Sequence, residues 1–203
     1  MEVKLKFFYG AMECGKTRKL QGDYYSKKDN FEVIVIKPSE DKKADSDTLA
    51  RDGSKIGTEF LISDNDNIYM LIAEYIIENN LDFIFVDEAQ FLKEHHVDEL
   101  VNIVDRLGIN VYCYGLRTDF LMNLFDGSKR LFEVSDELIP IDRQCSCGNN
   151  IISNMRFENE QPVFEGNTIA IDGIDASYKS YCRKCYNDIK RKTLMKKKNN
   201  KDK

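Results

Sequence analysis

Short apolar runs alternate with longer amphipathic segments through the first part of the chain. Residues 4–9 alternate and are rich in Phe and Tyr, which suits a strand, and 31–38 is a continuous apolar run, typical of a strand covered on both faces of a parallel sheet. Residues 81–91 are predicted to be another buried strand that ends in acidic residues, and 109–116 the next strand. Three segments have helical periodicity: 16–30, 67–80 and 93–108, the last with Gly108 as its C-cap. The alternation predicts an α/β fold with a mostly parallel sheet and helices on both faces.

The pattern changes near Pro140, where short predicted strands, polar loops and four of the six cysteines begin. We therefore divide the chain into an α/β domain over 1–139, a small metal-built domain over 140–190 and a lysine-rich, disordered tail over 191–203. The polar segment 39–57 is predicted to be a loop.

Composition narrows the class of protein. The chain has 203 residues and a net charge of −5, which argues against a nucleic-acid-binding protein. It has no apolar run long enough for a transmembrane helix, and its N-terminus does not resemble a signal peptide. We therefore expect a cytoplasmic protein with no membrane partner, whose six cysteines bind metal or lie in the core instead of forming disulfides.

The stretch between the first predicted strand and helix has the spacing G-x-x-x-x-G-K-T, with Gly10, Gly15, Lys16 and Thr17. Glycines at these positions let backbone N–H groups point at phosphates, and the following helix N-terminus adds its positive dipole end. Lys16 can reach the β- and γ-phosphates, and the Thr17 hydroxyl can bind Mg²⁺. The spacing and its context predict a nucleotide phosphate site.

Two acidic residues, Asp87 and Glu88, follow a buried strand at the end where ligands bind in open α/β sheets. Asp87 suits the acid that holds Mg²⁺. Glu88 would orient the attacking water in a motor ATPase, or accept a proton from a substrate hydroxyl in a small-molecule kinase. Both possibilities remain open at this point.

The C-terminal cysteines form two close pairs that match the spacing of a structural zinc site: Cys145, Cys147, Cys182 and Cys185. A redox pair at Cys182 and Cys185 is the alternative, but no thioredoxin-like βαβ pattern surrounds it. Of the remaining candidates, Cys113 is interpreted as a core residue, and His95 and His96 as surface residues.

Five motifs occur in the order seen in the type II, zinc-containing thymidine kinases: YGAMECGKT, FVDEAQFL, CYGLRTDF, CSCG and SYKSYCRKCY. The resemblance covers about residues 4–186, and the C-x-C-G form is similar to that of a bacterial branch. It implies a P-loop NTPase-type (RecA-like) domain followed by a zinc-ribbon-like lid. It also implies transfer of the γ-phosphoryl of ATP to the 5′-hydroxyl of thymidine, with Glu88 as general base.

The resemblance also implies a set of site residues. ATP would contact Tyr9, Gly10, Ala11, Met12, Glu13, Cys14, Gly15, Lys16, Thr17, Asp87, Glu88, Ala89 and Gln90. Magnesium would be held by Thr17, Asp87 and, by a looser match, Asp52; thymidine would contact Met12, Phe120, Gly173 and Tyr178. Where family members commonly have a second glycine after Gly173, this chain has Ile174, so we expect the loop over the base to run differently.

By the same resemblance we expect a homotetramer inhibited by thymidine triphosphate, with no nucleic-acid partner. A P-loop ATPase or helicase-like motor that grips nucleic acid through a zinc module would share the glycine loop and the acidic pair. The chain is short for two motor domains and is net acidic. A zinc-dependent interaction module with a vestigial nucleotide site is disfavoured by the intact lysine, threonine and acids.

Overall fold

The computed structural model describes residues 2–39, 47–49, 55–166 and 176–201. The chain divides into two compact units. The first comprises Met1–Tyr9, Gly15–Leu116 and Phe125–Ile141; the second comprises Gly10–Cys14, Arg117–Leu124 and Asp142–Lys203. Two short segments from the first part of the chain therefore belong with the C-terminal residues, whereas the sequence predicts one boundary at 139/140.

The first unit is built on a six-stranded sheet. Its six strands are β1 (Leu5–Gly10), β2 (Val33–Pro38), β5 (Phe60–Ile62), β6 (Phe83–Val86), β7 (Asn110–Leu116) and β8 (Glu137–Pro140). The unit also contains a separate pair of strands, β3 (Asp47–Leu49) and β4 (Lys55–Gly57). Its helices are α1 (Lys16–Lys28), α2 (Ile68–Glu78), α3 (Glu94–Asn102) and α4 (Asp126–Val134). The sheet has the order β5-β2-β6-β7-β1-β8 and is mostly parallel, which confirms the predicted fold class.

Alternation along β6 creates a core on each face of this sheet. Ile84 and Val86 belong to the larger core with buried residues of α2, α3 and α4. Phe83 and Phe85 belong to the opposite core, which contains Leu20 of α1. All four β6 side chains are buried, as expected for a central strand covered on both sides.

Part of the segment 39–57, which the sequence predicts to be a loop, forms a hairpin instead. Within it, β3 and β4 pair as an antiparallel ladder, with Thr48 opposite Ile56. Ile56 is only 3% exposed and packs in the core on the α1 face. Each of these short strands contains one large apolar residue, Leu49 in β3 and Ile56 in β4, which is too weak a period-2 signal to predict a strand. The hairpin therefore depends on burial and not on a local pattern.

His96 is buried, at 2% exposure, and so it is not the surface residue that the sequence suggests. Its Nδ1 accepts a hydrogen bond from the Lys93 N–H at 3.3 Å, and its Nε2 lies 3.2 Å from the Asp66 carbonyl oxygen. These two contacts require a neutral ring with the proton on Nε2. His96 therefore joins the start of α3 to the loop before α2.

We expect stability to fall as the pH drops below about 6.5, partly through His96. Burial lowers the pKa of His96 from its ordinary value of 6.5, so the unfolded chain binds this proton more tightly than the folded chain. The neutral ring stabilises the fold above pH 6.5, and this contribution is lost as the pH falls through the folded-state pKa. In melting experiments at pH 7.5 and 5.5, His96→Asn should show a smaller pH dependence of Tm than the wild type. Equal slopes for the variant and the wild type would contradict the assignment.

Within its described residues, the second unit contains a three-stranded antiparallel sheet and one helix. Its elements are β9 (Ser153–Glu158), β10 (Gln161–Val163), β11 (Ala176–Tyr181) and α5 (Arg183–Lys201). The strand order is β10-β9-β11. Cysteine pairs precede β9 and follow β11, so the sheet lies between them in the chain.

The C-terminal segment differs from its prediction. The sequence suggests disorder over 191–203, but α5 continues through Lys201. Lysine has a favourable helix propensity, and a helix already begun at Arg183 needs no second nucleation to extend. Although α5 has 19 residues, neither it nor another helix in the described ranges is both long and apolar enough to cross a membrane.

Candidate functional site

In the first unit, the predicted phosphate loop ends where α1 begins. Gly15 is the N-cap of α1 and has a left-handed backbone, with φ of 95°. The Lys19 N–H donates to the Gly15 carbonyl at 2.9 Å, which closes the first helical turn. Among the described residues, no side chain caps this helix and no acidic residue stands in its first turn. The N-terminal donors and positive dipole end beside Lys16 and Thr17 therefore suit an anionic ligand.

Asp87 and Glu88 stand directly after β6, as the sequence predicts. Asp87 is 6% exposed, and its N–H donates to the Ile36 carbonyl of β2 at 3.0 Å, which continues the strand pairing. Its Oδ1 accepts the Glu88 N–H at 3.0 Å. Glu88 has φ of 50°, a left-handed conformation that non-glycine residues seldom adopt. The left-handed residue therefore turns the chain out of β6 and into the short helical turn over Ala89–Phe91.

Gln90 holds the Glu88 carboxylate. Its Nε2 donates to Glu88 Oε2 at 2.6 Å, and its Oε1 accepts the Leu116 N–H at 2.9 Å. The Gln90 side chain is 2% exposed, so it acts from inside the protein. Ala89 is fully buried beside it. The resemblance places Gln90 at the nucleotide; within the described residues, its side chain contacts Glu88 and the backbone of Leu116.

Two glycines allow this arrangement, and the sequence analysis does not identify either of them. A Cβ at Gly115 would lie 3.0 Å from both the backbone nitrogen and Oε1 of Gln90. A Cβ at Gly127 in α4 would lie 2.6 Å from the carbonyl oxygens of Ala89 and Leu92. The short turn that follows Glu88 is therefore packed directly against β7 and α4. Neither glycine sits in a turn, so no local signal distinguishes them.

Replacing Gln90 by leucine should lower the free energy of unfolding by about 1–3 kcal/mol, the usual cost of a buried group left without its partner. The Leu116 N–H would lose its acceptor, and Glu88 would lose its donor. Chemical denaturation monitored by circular dichroism measures this. Gln161→Leu, at an exposed position of β10, is the control and should change stability little. Equal stabilities for the two variants would contradict the role given to Gln90.

In the second unit, one face of β9 gathers the residues predicted to contact thymidine. The Arg156 guanidinium of β9 lies over the Phe120 ring, 4.1 Å from its centroid. Tyr178 of β11 is directly opposite Arg156 in the strand register. The Tyr186 hydroxyl donates to the Phe120 carbonyl at 2.8 Å, which ties the loop over 117–124 to α5. Arg156, which no sequence motif identifies, therefore lies over Phe120 and is the register partner of Tyr178.

Met12 contacts the same face of β9 at Asn154, two residues before Arg156. Its N–H donates to Asn154 Oδ1 at 2.7 Å, and its carbonyl accepts the Ser180 hydroxyl at 2.9 Å. Three of the predicted pocket residues lie in the described part of the chain: Met12, Phe120 and Tyr178. Each of them neighbours Asn154 or Arg156 on one face of the same sheet. Alternating polar residues in SNMRFE are the signal that identifies this face.

The other predicted residues have varied surroundings. Glu13 has φ of 61°, and its carbonyl accepts a hydrogen bond from Arg143 Nη1 at 3.0 Å. Ala11 is buried and Cys14 is partly exposed. The Tyr9 ring packs against Phe132 with 4.7 Å between centroids. Two predicted positions, Asp52 and Gly173, lie outside the described residues, as does Ile174.

The four C-terminal cysteines form one cluster. Their Sγ atoms all lie within 4.8 Å of one another, and Cys147 Sγ is 3.4 Å from Cys182 Sγ. Gly148, with φ of 85°, turns the first pair so that its N–H donates to the Cys145 carbonyl at 2.8 Å. The Cys185 N–H points at Cys182 Sγ at 3.5 Å. Since tetrahedral zinc holds four sulfurs at about 2.3 Å, these spacings fit a structural zinc ion.

Charge in the cluster also suits a cation. A hydrogen bond from the Cys182 backbone lowers the pKa of Cys145 to about 6, and the Asn149 backbone lowers the pKa of Cys147. Hydrogen bonding with the Cys147 thiol raises the pKa of Cys185 to about 12. Four adjacent thiols cannot all ionise without a counterion, and bound zinc would displace the protons that remain.

Comparison with known proteins identifies the family. A family model described as thymidine kinase matches residues 3–186. A thymidine kinase of Enterobacteria phage T4 is 38% identical over 195 residues, covering 94% of this chain and 98% of that protein. Thymidine kinases of Legionella pneumophila (strain Paris) and Shewanella oneidensis are 38% and 37% identical, over 91% and 92% of this chain and 89% and 98% of their own lengths. With a matching family model over nearly its whole length and relatives of this similarity, the chain belongs to the thymidine kinase family.

Proposed function

We propose that this protein transfers the γ-phosphoryl group of ATP to the 5′-hydroxyl of thymidine. Lys16 and the N-terminal donors of α1 bind the phosphates, while Glu88 accepts the proton of the attacking hydroxyl. By resemblance to the family, Met12, Phe120 and Tyr178 contact the thymine base. Catalysis rests mainly on positioning and on stabilising the charge of the transferred group.

Family membership carries this proposal, because the match over residues 3–186 includes every described residue to which it gives a role. The hydrogen bond from Gln90 Nε2 to Glu88 Oε2 adds support. A general base must keep a fixed direction toward the proton that it removes, and a buried amide donor provides this. A solvated surface carboxylate would need no such partner.

We also propose that the protein binds two kinds of metal ion, Mg²⁺ and Zn²⁺. Thr17 and Asp87 would hold Mg²⁺, which neutralises charge on the ATP phosphates when it is bound. Zinc at the four cysteines would stabilise the second unit without taking part in the reaction, since protein sulfurs supply all four ligands. By resemblance to the family, we also propose a homotetramer that is inhibited by thymidine triphosphate.

In the deciding experiment, the purified protein is incubated with Mg²⁺, thymidine and ATP that carries a radiolabel in its γ-phosphate. The nucleotides are then separated by chromatography. We expect the label to appear in thymidine monophosphate, with no transfer when thymidine is left out. ATP hydrolysis that DNA stimulates, without a labelled nucleoside product, would instead favour a motor ATPase and contradict the proposal. Adding thymidine triphosphate to the same assay tests the proposed inhibition.

A further inference from the structure

The backbone of Met12 is held at both of its polar atoms by side chains of the three-stranded sheet. Asn154 Oδ1 accepts the Met12 N–H at 2.7 Å, and the Ser180 hydroxyl donates to the Met12 carbonyl at 2.9 Å. We propose that Asn154 and Ser180 are positioning residues that hold the tip of the phosphate loop in the conformation required for thymidine phosphorylation. This inference rests on the proposed function.

Both the oxygen and the nitrogen of the Asn154 amide form hydrogen bonds. Besides accepting from Met12, it donates through Nδ2 to the Thr118 carbonyl at 3.2 Å. It therefore joins the phosphate-loop tip to the loop that carries Phe120. Asn154 is 2% exposed, so water cannot readily replace a lost partner, and each bond counts for more than at the surface. An amide is the side-chain group that can accept and donate in these two directions at once.

Strand pairing explains why the two side chains meet at Met12. Asn154 of β9 and Ser180 of β11 are register partners on adjacent strands, and Ser180 Oγ lies 3.2 Å from Asn154 Oδ1. Arg156 and Tyr178 form the next pair on the same face. The pair that holds Met12 therefore lies two residues along each strand from the pair that contains Tyr178, a predicted pocket residue.

The same strand leads into the metal cluster. Ser180 stands two residues before Cys182, and the hydroxyl of Ser153, beside Asn154, donates to the Tyr181 carbonyl at 3.0 Å. The end of β11 is therefore fixed on one side by a cysteine ligand and on the other by β9. Through Ser180, this fixed strand end determines where the Met12 carbonyl is held.

The test compares Asn154→Ala and Ser180→Ala with matched controls at exposed positions, Asn187→Ala in α5 and Ser177→Ala in β11. We expect kcat/KM for thymidine to fall about 10- to 100-fold in the first two variants, as a displaced loop would cause. KM for ATP should change less, zinc content should stay at the wild-type level, and the controls should keep wild-type kinetics. Ser180→Thr, which retains the hydroxyl, should restore most of the activity.

Because the two side chains share Met12, the double variant should lose less than the product of the two single losses. Amide hydrogen exchange of the peptide containing Met12 should accelerate in Asn154→Ala and Ser180→Ala. A lower Tm with wild-type kinetics and unchanged exchange would overturn the proposal and leave only a structural role. If the wild type makes no thymidine monophosphate, the proposed function fails, while the exchange rate at Met12 still decides whether these side chains hold the loop.

Discussion

Replacing Glu88 by glutamine should reduce kcat about 10²- to 10⁴-fold, the range expected when a general base is removed. The change keeps the size of the side chain, and the new amide can still present its oxygen to Gln90 Nε2, now 2.6 Å from Glu88 Oε2. The turn after β6 should therefore stay folded. Binding of ATP and thymidine should persist, so that the loss falls on turnover and not on KM.

Steady-state kinetics and calorimetric binding separate these effects. The control is Glu94→Gln, the same change at an exposed position at the start of α3, which should keep wild-type kcat. A Glu88→Gln variant with nearly normal kcat would show that another group accepts the proton. A variant that no longer binds thymidine would show that Glu88 serves binding and not proton transfer.

Removing a cysteine ligand should have the second large effect. We expect about one zinc per wild-type chain by metal analysis, and almost none in Cys182→Ala. Cys182 is 2% exposed and lies 3.4 Å from Cys147 Sγ, so its loss opens the cluster and leaves three thiols without a closed site. Free energies of zinc binding in structural sites, about 10–16 kcal/mol, are comparable to the stability of a whole domain.

The zinc-free protein should therefore lose order in the second unit and bind thymidine at least about 10-fold more weakly, since an affinity change of this size needs only about 1.4 kcal/mol. Phosphate binding by the first unit should be affected less. Cys113→Ala is the control for metal content: Cys113 is a fully buried β7 residue outside the cluster, and its loss should leave zinc unchanged. A metal-free wild type with full thymidine affinity would contradict the zinc assignment.

Because thiols must lose protons to bind zinc, retention of the metal should weaken as the pH is lowered.

Much of the first unit could be predicted because its signals are local. A continuous apolar run predicts β6, and a glycine spacing between strand and helix predicts the start of α1 at Lys16. Gly108 ends a helical segment in a left-handed conformation, with φ of 69°, as predicted. In contrast, α4 and β8 escape the sequence analysis. Exposed and partly buried residues alternate along β8, so it lacks the continuous apolar run that identifies the central strands.

His96 and Gln90 show where such signals fail. Each is a polar residue whose role depends on burial, and burial results from packing against elements distant in the chain. His96 contacts a carbonyl 30 residues away, and Gln90 contacts a backbone N–H 26 residues away. Sequence spacing contains no record of either contact, so a buried polar residue such as His96 is easily taken for a surface residue.

By itself, the sequence determined the chemistry that this protein can offer: a phosphate loop, an acidic pair at a strand end and two cysteine pairs. These features depend on residue type and spacing, which local geometry enforces. Only the tertiary structure decided how that chemistry is held in place, with Gln90 directing Glu88, and Asn154 and Ser180 directing Met12. The reason is that a buried hydrogen bond is formed by whichever groups the packed sheets bring within about 3 Å, however far apart they lie in the chain.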